Sequence, residues 1–171
     1  MHTRNARLLG DYGGPVSAAG RNFYSGGFAR DAFNGLRLWH REGVNPFAAS
    51  EQYLFVGTKD GTSALDAVTG ELVHRYEGRG WSRGAIHDGG TLIVFDHGSV
   101  RAYQAEAAKL LWDVRATKPR GVVAAEDLVA YVQGDPRSGV RSELVVLDRP
   151  TGQPRWRRDD YPWLDKVANL V

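Results

Sequence analysis

The sequence predicts an all-β chain, a β-propeller of about four four-stranded antiparallel blades forming a partial ring. An eleven-residue motif recurs four times, at Ala29–Trp39, Ala64–His74, Ala102–Trp112 and Val146–Trp156. The motif ends, at residues 39, 74, 112 and 156, are 35, 38 and 44 residues apart. That period is close to the roughly 40–50 residues of four-stranded blades. The 21 glycines, in a chain of 171 residues, are about 12% against a usual 7%, which suits many tight turns between short strands.

Residues 1–15 fall outside the pattern and read as a lead or the end of a preceding blade. Blade 1 takes residues 16–42, with strands expected at Val16–Ala19, Asn22–Ser25, Phe28–Arg30 and Gly35–His40. Blade 2 takes residues 43–77. Its small residues Phe47–Ser50 suit a narrow inner strand, and Gln52–Gly57 is rich in aromatic and branched side chains that suit a buried one. Asp60-Gly61 predicts a type I′ hairpin turn, before strands at Thr62–Leu65 and Glu71–Tyr76.

Blade 3 takes residues 78–115, with strands at Arg83–His87, Thr91–Phe95, Ser99–Tyr103 and Lys109–Val114. The tract Ala105–Trp112 has helical propensity, but it lies in the turn and outer-strand register of the other copies, and repeat context overrides propensity. Blade 4 takes residues 116–159, with strands at Gly121–Ala125, Leu128–Val132, Ser142–Leu147 and Gln153–Arg157. Between its second and third strands, Gln133–Val140 reads as an exposed extended hairpin. Residues 160–171 read as a tail or the start of a further blade.

The motif has a structural account. A tryptophan closing each copy buries roughly 200 Å², worth up to about 5 kcal/mol before entropic costs. Its indole N–H then needs an acceptor. Gly35, Gly70 and Gly152 supply the permissive backbone of a tight turn, and Asp31, Asp66 and Asp148 accept turn amides. Trp39, Trp112 and Trp156 are the packing residues. Two copies depart at the Asp, Gly or Trp positions: His74 takes the tryptophan position in the second, and Gln104 and Ala108 replace Asp and Gly in the third. His74 is expected to pack rather than to bind a ligand.

The pattern Ala-x-Asp-x-x-x-Gly-x-x-x-Trp, complete in Ala29–Trp39 and partial in the other copies, resembles the repeat of quinoprotein-type propellers, named after pyrroloquinoline quinone (PQQ). Ala29–Gly35 followed by Ser63–Ala67 also resembles large bacterial PQQ-binding-like β-propeller repeat proteins. The resemblance covers residues 16–158 or so. Its superfamily includes quinone-dependent alcohol dehydrogenases, an outer-membrane assembly lipoprotein and many sensors, and it implies a possible extracytoplasmic location. The dehydrogenases carry a calcium site of Glu, Asn and Asp, an Asp base, an Arg near the quinone and often adjacent cysteines. This chain has no cysteine, and no such Asp, Glu and Asn set can be placed on one face. Their rings commonly have eight blades.

The chain-wide signals are bland. Net charge is +2 and the 18 arginines are scattered, without the basic stripe that a nucleic-acid partner needs. Without cysteine there is no disulfide framework or thiolate chemistry. Met1–Gly10 has no signal-peptide core, and no run approaches the roughly 20 apolar residues of a membrane span, so the chain reads as soluble. His87-Asp88 and Asp96-His97 lie in one repeat but lack metal-ligand spacing. No P-loop, dinucleotide fingerprint or nucleophile elbow is present. No catalytic residue, metal site or cofactor is predicted; PQQ with calcium belongs only to a dehydrogenase reading.

Ligands of propellers meet the loops joining the outer strand of one blade to the inner strand of the next, here Glu42–Pro46, Glu77–Arg83 and Ala116–Arg120. Trp81 between Arg79 and Arg83 either stacks on and clamps a planar or anionic ligand, with Lys118 and Arg120 on the following connector, or seals the channel rim with the arginines solvated. The expected function is a noncatalytic scaffold presenting these loops to a protein or small ligand. The alternative is a fragment of a PQQ-dependent dehydrogenase. Four blades also leave two exposed sheet edges, which calls for further blades or self-association.

Overall fold

The computed structural model describes residues 17–161 apart from residue 79. They form four antiparallel sheets of four strands, each in simple sequence order. Blade 1 holds β1 (Ser17–Ala19), β2 (Asn22–Ser25), β3 (Phe28–Asp31) and β4 (Arg37–His40). Blade 2 holds β5 (Asn45–Ala49), β6 (Tyr53–Thr58), β7 (Gly61–Asp66) and β8 (Leu72–Glu77). Blade 3 holds β9 (Gly84–Asp88), β10 (Thr91–Phe95), β11 (Ser99–Gln104) and β12 (Lys109–Arg115). Blade 4 holds β13 (Arg120–Ala124), β14 (Leu128–Asp135), β15 (Val140–Asp148) and β16 (Pro154–Arg158). The fold is the open propeller segment that the repeat predicts.

Strand alternation divides each sheet between two neighbours. In blade 2, Leu54, Val56 and Leu65 pack toward Tyr24 and Ala29 of blade 1. Phe55, Ala64 and Tyr76, on the opposite face, pack toward Leu92, Val94 and Tyr103 of blade 3. Ile93, Val100, Ala102 and Trp112 of blade 3 then meet Val129, Tyr131, Val145 and Leu147 of blade 4. The three apolar clusters are therefore the three blade junctions, and the core of the chain lies between sheets.

Ala105–Ala108 forms a turn and Lys109 begins a strand, so the repeat prevails over helical propensity. Ala108 takes the glycine position at φ +49°, an uncommon conformation for a residue with a Cβ. Blade 1's outer strand begins at Arg37, not Gly35, because Gly35 sits in the turn at φ +73°.

One hairpin differs from expectation. The positive φ at the β6–β7 turn falls on Gly61 (+134°) and not on Asp60, so the turn is not type I′. Gly61 pairs with Thr58, and a side chain there would come within 2.5 Å of the Tyr76 carbonyl. In blade 4, the tract Gln133–Val140 forms an extended hairpin, its strands running further toward the tip than Val132 and Ser142. Gln133 pairs with Glu143 and Asp135 with Val140, leaving a short 3₁₀ turn at Pro136–Ser138.

Candidate functional site

Antiparallel order sorts the turns to two ends of the sheets. The motif turns and the first hairpin of each blade share one end. There the fourth motif residue donates its amide to the first hairpin, as in Ala67 to Gln52 (2.9 Å), Ala105 to Gly90 (2.9 Å) and Arg149 to Asp127 (2.9 Å). The second hairpins and the connectors between blades share the other end. Gly78 N–H donates to the Asp60 carbonyl (3.2 Å), Arg83 to Phe95 (2.8 Å), Ala116 to Gly98 (3.0 Å) and Gly134 to Thr117 (2.7 Å). Each connector is thus held by backbone bonds to a neighbouring hairpin.

The motif residues act across the junctions. The carboxylates of Asp31, Asp66 and Asp148 accept amides of their own turns, such as Phe33 (2.7 Å), Thr69 (2.7 Å) and Thr151 (3.1 Å). The Thr69 amide chiefly holds the Asp66 carboxyl below its ordinary range. For Asp148 the main causes are the Thr151 hydroxyl and then Arg155. The Trp39 indole lies on Gly70 of the next blade and donates to the Ala67 carbonyl at 3.2 Å. Trp112 lies on Gly152 and donates to the Arg149 carbonyl at 2.7 Å.

Where His74 replaces the tryptophan, Tyr76 two residues later donates to the Ala105 carbonyl at 2.5 Å. Burial raises the Tyr76 hydroxyl pKa well above the usual tyrosine range. His74 packs edge-on against Tyr53 and Tyr76. Trp156, expected to be buried like its counterparts, is instead 46% exposed, against 7% for Trp112. It lies opposite Val146, on the face of blade 4 that points away from blade 3.

At the connector end the predicted residues separate. Trp81 is 66% exposed and Arg83 is exposed beside it in sequence; Arg79 lies outside the described residues. The intervening Ser82 is buried and its hydroxyl shares a 2.7 Å hydrogen bond with Thr62, which anchors the loop under Trp81. Lys118 pairs with Asp135 of the blade 4 hairpin and holds that carboxyl below its ordinary range. Arg120 donates to the Gly134 carbonyl (2.9 Å) and to Ser142 Oγ (2.6 Å). Both cations are engaged by blade 4 itself.

Sequence reasoning missed the buried ion pair behind these loops. Arg101 and Asp96 are 4% and 3% exposed and bonded to each other. Arg101 also donates to the Glu77 carbonyl (2.6 Å) and to Ser99 Oγ. Asp96-His97 in the hairpin signalled a polar turn, but nothing local marked Arg101 as its partner. His87 and Asp96 stand at opposite ends of the strands they flank. His87 pairs in register with Leu92 near the start of β10 and stacks on Phe55 at 5.0 Å, with burial pushing its pKa down. Asp88 pairs with Arg149 at 2.5 Å.

Two clefts open beside the connectors. One of about 420 Å³ is lined by Arg41, Val44, Lys59, Arg75 and Tyr76 among others, and one of about 320 Å³ by Arg75, Glu77, Arg101, Tyr103 and Asp113 among others. Neither includes Trp81, Arg83, Lys118 or Arg120. Among the described residues no three His, Cys, Asp or Glu side chains gather to hold a metal ion. A calcium ion takes six to eight oxygen ligands, yet Asp96 and Asp135 at this end are already bonded to cations. The described residues therefore do not fit a quinone–calcium centre. No helix among them is long and apolar enough to cross a membrane.

Four repeated blades, each joined to the next by an outer-strand aromatic side chain that donates to the following motif turn, define a β-propeller segment of the PQQ-like repeat class. The chain belongs to the family of the outer membrane protein assembly factor BamB, whose sequence profile matches residues 16–160. No curated protein sequence matches the chain. In structure it is similar to BamB from Moraxella catarrhalis, with 19% identity and a TM-score of 0.62, covering 85% of this chain and 48% of that one. It is also similar to the quinohemoprotein alcohol dehydrogenase ADHIIG of Pseudomonas putida HK5, with 16% identity, TM-score 0.65 and coverage of 85% and 34%. A third similar chain is the computationally designed Ika4 protein, with 15% identity, TM-score 0.63 and coverage of 84% and 98%. The chain thus spans about half the length of the BamB structure.

Proposed function

We propose that this chain is a noncatalytic propeller segment whose connector end binds a protein partner, with Trp81 as its anchor. The observation that carries this reading is Trp81 itself: a large aromatic ring 66% exposed on a loop whose neighbouring Ser82 is buried and bonded. An exposed tryptophan on an anchored loop suits a protein hot spot. A small ligand would favour an enclosed cavity, and the two clefts described do not include Trp81. Arg83 adds a cation to the rim. Membership of the BamB family supports a scaffold role in an extracytoplasmic assembly.

Photocrosslinking tests the assignment. A benzophenone side chain at position 81 should give a discrete protein adduct in cells of the source organism, and one at exposed Val68 at the motif end should not. Equal adducts from both positions would overturn it. Quinone-dependent dye reduction by purified protein loaded with calcium and PQQ would overturn the noncatalytic part.

A further inference from the structure

The two ends of the described fold are complementary. At each junction an outer-strand side chain donates to the carbonyl of the fourth motif residue of the following blade: Trp39 to Ala67, Tyr76 to Ala105, Trp112 to Arg149. Blade 1 adds a second donor, Arg41, which reaches the Gly70 carbonyl at 3.0 Å. Arg41 stands two positions after Trp39, and β16 repeats that pair as Trp156 and Arg158. Trp156 is 46% exposed, and Arg158 is half exposed and turned to Asp160 at 2.9 Å.

The turn that such a pair grips is present at the other end. Blade 1 carries Asp31-Ala32-Phe33-Asn34-Gly35, the same Asp-Ala-x-x-Gly order as the gripped turn Asp66–Gly70. The two glycines have nearly the same backbone, φ +73° for Gly35 and +74° for Gly70. In both turns the aspartate accepts the amide two residues on, at 2.7 Å and 2.9 Å. They differ in cover, Ala67 being buried at its junction with Trp39 and Ala32 exposed, and in that the Gly35 carbonyl already accepts from Arg30 at 3.1 Å, which leaves its second lone pair for a further donor.

We propose that blade 4 of one copy docks on blade 1 of a second copy of this chain. Trp156 lies over Gly35 of that copy and donates to the Ala32 carbonyl, and Arg158 exchanges Asp160 for the Gly35 carbonyl. Joined at both ends, two copies supply eight blades, and one copy already covers 48% of the similar BamB chain. The contact is heterologous, so it closes a ring instead of growing only where the rotation returns to its start. This inference is independent of the partner surface at Trp81.

Sedimentation velocity of the 171-residue chain, at up to about 100 µM, tests it. The chain should sediment as a dimer. Trp156→Ala and Ala32→Glu each alter an exposed position; both should keep the parent circular dichroism, with a melting temperature no lower than that of the parent diluted to monomer. Each should weaken the dimer at least about 100-fold, since two junctions lose an anchor. An equimolar mixture should recover a heterodimer, because Trp156 of the Ala32→Glu chain meets the intact turn of the Trp156→Ala chain. A monomer at every concentration, an open concentration-dependent series, or a dimer that persists in both variants would each overturn the proposal.

Discussion

Trp112 lies so close on Gly152 that a methyl group at the glycine would stand 2.7 Å from the indole ring. The contact joins blade 3 to blade 4, and its N–H donates to the Arg149 carbonyl in the same turn. Trp39 and Gly70 repeat the arrangement between blades 1 and 2. The recurring motif is therefore two half-sites: the turn receives the preceding blade, and the closing aromatic residue grips the next.

Replacing Trp112 by phenylalanine removes the indole N–H together with part of the ring that lies on Gly152. Trp112→Phe should destabilise the chain by about 1–3 kcal/mol, because the buried Arg149 carbonyl loses its donor. Urea unfolding followed by circular dichroism reads the difference.

At the second junction the energy should sit on Tyr76 and not on the motif position. Tyr76→Phe removes the hydroxyl that reaches the Ala105 carbonyl and should cost about 1–3 kcal/mol, because that buried carbonyl loses its donor. Tyr76→Ala should cost about 3–5 kcal/mol, as for other fully buried aromatic rings. His74→Ala, at a half-buried position, should cost less than Tyr76→Ala in the same urea series.

The Arg101–Asp96 pair offers a test of buried charge. Arg101→Met leaves the Asp96 carboxylate without its cation and should destabilise by about 3–5 kcal/mol. Adding Asp96→Asn should recover part of that loss, since the remaining group is neutral. A double variant no more stable than Arg101→Met alone would contradict the assignment.

Two pH windows follow from the shifted groups. Burial depresses the His87 pKa, so its contribution is complete above the ordinary value near 6.5 and is lost as pH falls below it toward the folded value. The Asp66 and Asp148 carboxyls are depressed by turn donors, so their contribution holds above about 4 and is lost as pH falls through their folded values. Thermal melts should show a first decline below about pH 6.5 that His87→Phe removes. Asp66→Asn should flatten the second decline.

Much of the fold was legible because turn chemistry and strand alternation are local. Strands Asn22–Ser25 and Thr91–Phe95 fall where the sequence places them. The acceptors of the tryptophans were not legible, since Ala67 and Arg149 lie 28 and 37 residues from their donors, in the next blade. Tyr76 escaped notice because it stands two residues outside the motif and inherits the role through strand alternation. At the connector end, Lys118 and Arg120 read as open cations, but their partners come from the β14–β15 hairpin, whose pairing through Asp135 the breakers Gly134 and Pro136 concealed. Trp81 was legible as a loop aromatic because nothing in its surroundings calls for a buried ring.

The measurement that bears most directly on the motif as a lock between blades is a double-mutant cycle on Trp112→Ala and Gly152→Ala, read by urea unfolding. Gly152→Ala alone should cost more than about 1 kcal/mol, from its positive φ and the clash with the ring. In the Trp112→Ala background the clash is gone, so the two changes should couple by at least about 1 kcal/mol. Costs that add to within about 0.5 kcal/mol would mean the two residues do not meet, and would contradict the lock.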